Sequence, residues 1–180
     1  MNVSELPMGN APQALSFLHF PTRWQAVVWR NWNLVSAEIL AKVLHASVPE
    51  IRSAADAMGL EYRPGQLARW RERGFQTVIR RNWELLDYEQ LLELLEWEPD
   101  RLAFTLKEDD FLFYKLGLRK PVCEKVYYRP LTPEEIARTE TIRRRSGLLW
   151  RMLRFRRCLS IFSTDSENTG VCLPSAMTSI

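Results

Sequence analysis

Two histidines, three cysteines and seven glycines among 180 residues exclude several familiar chemistries at the outset. His19 and His45 are not spaced to share a metal, and Cys123, Cys158 and Cys172 make neither a Cys-x-x-Cys pair nor an even disulfide set. Three such thiols suit a reducing compartment, so a cytoplasmic location is expected. No glycine-rich loop is present to cradle a phosphate, and no nucleophile is placed with a base. The run Glu108-Asp109-Asp110 reads as a solvated acidic face and not as a cation site. No stretch of about 18 apolar residues exists to span a bilayer, and the first twenty residues carry Glu5 without any Lys or Arg, unlike a signal peptide. No catalytic set, cofactor or metal is therefore expected.

What remains is 46% hydrophobic and 26% charged, the balance of a folded globular chain. Its net charge of +3 is an average over two unlike parts. Residues 1–140 hold 18 Lys and Arg against 20 Asp and Glu, a net of −2, while residues 141–180 hold seven Arg against Asp165 and Glu167, a net of +5. The basicity lies in the tail. Arg interleaved with Leu, Trp and Phe from Ile142 to Arg157 suits an anionic surface or RNA, and it equally suits an out-of-frame end that replaces a continuing protein.

An internal match organises the rest. At an offset of 51, Gln25-Ala-Val-Val-Trp-Arg-Asn-Trp-Asn-Leu-Val aligns with Gln76-Thr-Val-Ile-Arg-Arg-Asn-Trp-Glu-Leu-Leu, with nine identities over positions 25–51. Each unit is expected to hold two helices preceded by Gln25–Trp32 or Gln76–Trp83, a run that fits helix or strand by pattern; Thr22 with Gln25 favours a helix, which makes three. Thr22 with Gln25 opens the first; Ser36, and Asp87 with Gln90, open the second; Ser47-Val-Pro-Glu50 opens the third, which ends near Gly59. The apolar stripes are Ile39, Leu40, Val43 and Leu44, then Ile51, Ala54, Ala55 and Met58, and in the second unit Leu102, Ala103, Leu106 and Phe111. Lys120 to Pro130 alternates like an extended strand that must pair with something, and Thr132-Pro-Glu-Glu135 opens a polar helix to about Arg145.

The predicted architecture is thus mainly α: two tandem helix-turn-helix-like trihelical units, a short extended segment, a C-terminal helix and a loose tail. Its segments are an arm over 1–20, units over 21–60 and 75–117, a basic connector over 61–74, the extended segment over 118–131, a helix and basic segment over 132–157, and a tail over 158–180. Arg30, Asn31 and Trp32, repeated as Arg81, Asn82 and Trp83, are the candidate anchors, with Trp70 on the connector. They read either as ligand contacts or as core plugs. Helix-turn-helix DNA binding is the alternative, with Arg52, Arg69, Arg71 and Arg73 as contacts, but acidic residues outnumber basic ones on both candidate reader helices, over 48–60 and 100–113. A protein partner, or a missing C-terminal domain, is the expected companion.

The segments Val28-Trp-Arg-Asn-Trp-Asn-Leu-Val35, Ile79-Arg-Arg-Asn-Trp-Glu-Leu-Leu86 and Leu106-Lys-Glu-Asp-Asp-Phe-Leu-Phe-Tyr-Lys-Leu-Gly117 resemble the N-terminal region of large bacterial proteins. There a tandem helical module precedes a carbohydrate-active, glycosidase-like region. The resemblance spans about residues 20–145 and implies a leading interaction module, an accessory region of a glycoside hydrolase-like enzyme. No glycosidase residue is carried over, because no position here matches one.

Overall fold

Helix starts are set by short polar side chains placed to satisfy the orphan N–H groups of a first turn. In a computed structural model, which describes residues 2–63, 74–109 and 111–147, Thr22 accepts from Gln25 N and opens α1 (Arg23–Asn31). Ser36 accepts from Ile39 N and opens α2 (Ala37–Leu44), and Ser47 with Glu50 forms a complete capping box at α3 (Val48–Ala57). The second series follows with α4 (Phe75–Asn82), α5 (Tyr88–Leu95) opened by Asp87, and α6 (Pro99–Glu108). A single-turn helix α7 (Leu112–Lys115) and a helix α8, described over 133–147 and opened by Thr132 and Glu135, complete the order. The protein is mainly helical, and among the described residues there is no sheet.

Two elements of the sequence reading are corrected. Phe111 is not part of the buried stripe: α6 ends at Glu108, Phe111 adopts φ +52° and opens α7, and its side chain is 75% exposed. At α5, Gln90 does not reach back to its cap. Its amide bridges elsewhere instead, donating to Val43 O and Val126 O and accepting from Val126 N.

α2 packs on α3 and α5, α1 on α2, α3 and α4, and α4 on α5, while α6 lies chiefly against α7. Leu40, Leu44, Ile51, Ile79, Leu85, Leu91 and Leu102 are fully buried in the resulting core, each stabilising the fold by about 1.5–3 kcal/mol of transfer energy. The α2–α3 and α5–α6 turns share one geometry. His45 and Glu96 sit in the left-handed region at φ +53° and +55°, and the next residues, Ala46 and Trp97, donate to Ala41 O and Leu92 O.

The segment after α7 is extended, as expected, but it works as a strap and not as a strand. Lys120 N donates to Met8 O and Val122 N to Pro12 O, while Ala14 N donates to Val122 O, joining the strap to the N-terminal arm through isolated bridges. Farther on, Tyr128 N donates to Leu44 O at the end of α2. Gly9 makes the arm's close approach possible, because at φ +59° an added Cβ would lie 2.0 Å from Leu118 O.

Candidate functional site

The paired Arg-Asn-Trp segments meet where α1 and α4 cross. Asn31 Nδ2 donates to Asn82 Oδ1 at 2.8 Å, and Asn82 Nδ2 donates to Asn31 Oδ1 at 2.7 Å. Each amide also donates to the carbonyl four residues back, Val27 O and Val78 O respectively. Both side chains are completely buried, and the ring of amide bonds satisfies every donor they have. The arginines follow the same exchange. Arg30 Nη1 donates to Arg81 O at 2.5 Å and Arg81 Nη1 to Arg30 O at 2.8 Å, so each cation serves the C-terminal turn of the other helix. Reciprocity of this kind is what a local two-fold axis between two helices produces.

The tryptophans do not follow it. Trp83 is buried, with its indole N–H donating to Arg119 O and its ring edge-on to Tyr88 and Phe113. Trp32 is half-buried, donates to Glu61 O and sits edge-on to Tyr62, an exposed ring. Asn33 at φ +67° ties the same loop by donating to Glu61 O and accepting from Arg63 N. Trp70, Arg69, Arg71 and Arg73 lie outside the described residues. Arg52 stands on the exposed face of α3, 3.5 Å from Glu38.

A cluster that the sequence reading passed over lies under Trp83. Lys120, 1% exposed, donates to Trp83 O at 3.0 Å, Leu86 O at 2.7 Å and Pro121 O at 3.2 Å, with Cys123 Sγ at 3.5 Å. Its ammonium also stands 5.3 Å from the Trp83 ring centroid and 5.6 Å from that of Tyr88. Burial pushes its pKa down and the Cys123 neighbour pulls it partly back. Three carbonyls account for three ammonium protons, so the residue ties the strap to the α4–α5 loop. Burial likewise pushes the Tyr88 phenol up, and its hydroxyl donates to Pro7 O on the arm. Sequence alternation assigns a lysine to the wet face of a strand; only its position beside Pro121 and Cys123 hints otherwise.

Along α6, α7 and their flanks, large apolar groups face solvent. Phe104, Phe111, Tyr114 and Leu118 are 65%, 75%, 70% and 53% exposed within fifteen residues of chain. Among the described residues no three His, Cys, Asp or Glu side chains gather as a metal site, and no helix is long and apolar enough to cross a membrane. Comparison with protein-family models, curated proteins and solved structures finds no match.

Proposed function

We propose that this chain is a non-catalytic helical interaction module that holds a protein partner against α6 and α7. The observation that carries the reading is that Phe104, Phe111, Tyr114 and Leu118, within fifteen residues of chain along α6, α7 and their flanks, are each more than half open to solvent. Aromatic side chains gathered on a helical surface are the usual anchors of a protein interface, where burying each one stabilises the complex and the surrounding polar groups set orientation.

DNA recognition through α3 is the weaker reading, since its single arginine, Arg52, already stands beside Glu38. A photo-crosslinking residue placed at Tyr114 should trap one discrete protein in the cells that make this chain. The same residue at Glu134, exposed on α8, should trap none, and the double variant Phe111→Ser, Tyr114→Ser should abolish an adduct formed from position 104. Equal labelling at positions 114 and 134, or no adduct from either, refutes the reading.

A further inference from the structure

The α1–α4 crossing holds more positive charge than its own hydrogen bonds consume. Arg30 and Arg81 each spend one Nη on a carbonyl of the opposite helix, and among the described residues the remaining N–H donors of the two planar guanidiniums meet no acceptor. Among the described residues no carboxylate pairs with either. The ion pairs formed, such as Lys42 with Glu93, Lys125 with Glu89 and Arg129 with Glu135, are elsewhere. Arg80, exposed, is a third cation in the last turn of α4.

Two helix C-termini offset roughly half a charge each, so about one net positive charge remains at the axis before Arg80 is counted. Arg30 is half-buried, and its pKa is held down by that burial first and by the Arg81 charge second. Two cations kept close without an anion form a site that an anion relieves. Phe17 lies on the Arg30 guanidinium, 4.7 Å from its ring centroid. Stacking of this kind covers the face of the cation and fixes its plane while sparing the in-plane donors, the fork that matches phosphate oxygens.

We propose that Arg30 and Arg81 form an oxyanion site that takes a phosphate group, either free or carried on a phosphorylated side chain. The site stands on the crossing of α1 and α4 and is independent of the aromatic cluster on α6 and α7.

The test uses the full chain, with ionic strength held constant by sodium chloride so that screening is the same throughout. Inorganic phosphate and a phosphoserine peptide are titrated separately while the Arg Nε–H resonances are followed. Two arginine resonances should shift with saturation in at least one arm. Arg81→Gln should weaken that binding at least ten-fold, Arg81→Lys should recover part of it, and Arg52→Gln should leave it unchanged. Saturation by inorganic phosphate identifies a free-anion site, and saturation by the peptide alone identifies a phosphorylated partner. The Arg81→Gln variant is checked for its urea midpoint in chloride, and Arg80→Gln gives a second variant should that midpoint collapse, expected to weaken binding by less than Arg81→Lys. Unmoved arginine resonances in both arms, or wild-type binding by Arg81→Gln, overturn the proposal.

Discussion

Removing one amide of the Asn31–Asn82 pair should cost far more than a surface asparagine is worth, and the cost should not add when both are removed. Asn31→Ala leaves Asn82 Oδ1 without its donor and takes away one of the two acceptors of Asn82 Nδ2, where both side chains are fully buried. A buried polar group left unmatched costs about 1–3 kcal/mol, and the small void adds to it, so each single variant should lose about 2–4 kcal/mol. The exchange is reciprocal, so Asn82→Ala should cost nearly the same as Asn31→Ala. In the double variant neither stranded partner survives. Its loss should therefore fall short of the sum of the singles by about 1–3 kcal/mol, the coupling of a directly bonded pair. Asn31→Asp is the sharper probe: it preserves the acceptor but loses both donations, to Asn82 Oδ1 and Val27 O, and buries a carboxylate. It should be worse than Asn31→Ala. Urea unfolding of the four chains, with equal m-values, measures the cycle. Additivity within about 0.5 kcal/mol, or singles that differ widely, would refute the reasoning.

Glu96→Gly and His45→Gly should each raise stability by about 0.5–1 kcal/mol, because relief of a left-handed backbone exceeds the entropy that glycine adds to the unfolded chain. The gain at position 45 is reduced by loss of the His45 stack on Tyr127 at 4.7 Å, and thermal unfolding reads both variants. Gly9→Ala should lower stability by more than about 1–2 kcal/mol, since its Cβ meets Leu118 O, and faster amide exchange at Lys120 and Val122 would locate the loss in the strap. Glu135 is held down to about 2, first by its hydrogen bond from Arg129 and then by Thr132 N. A carboxylate whose folded pKa lies below its unfolded one contributes fully above the unfolded value and loses that contribution as pH falls. The start of α8 should therefore weaken between about pH 4.3 and pH 2, and Glu135→Gln should remove that part of the acid dependence.

Local chemistry was readable in the residues, and crossings were not. Thr22, Ser36, Ser47 and Asp87 each cap the helix that they precede, because a cap needs only an oxygen and an N–H three residues on. Leu40, Val43 and Leu44, or Ile51 and Ala55, are buried on the stripe that 3.6-residue periodicity defines. Polar residues on those stripes carry no such signal. Gln25 is buried because Thr139, 114 positions away, accepts from its amide, and Gln90 because Val43 and Val126 surround its own. Lys120 is the extreme case, a cation hidden by carbonyls that lie 34 and 37 positions earlier in the chain.

The fate of matched positions shows where that boundary falls. Residues 51 apart do the same work when their partners are also 51 apart: Asn31 with Asn82, Arg30 with Arg81, and the left-handed turns at His45 and Glu96. They diverge when a partner comes from unmatched sequence. Both tryptophans keep an edge-on ring at the same offset, Tyr62 for Trp32 and Phe113 for Trp83, but Trp83 is sealed further by Arg119 O and the Tyr88 ring, whereas the Trp32 indole N–H donates to Glu61 O. Gln25 finds Thr139 on α8, while Gln76 remains half-buried on α4. Identity of residue type therefore specifies a contact only as far as both sides of the contact recur. The exchange at Asn31 and Asn82 recurs because both partners do, and contacts from the arm, the strap and α8 have no such counterpart.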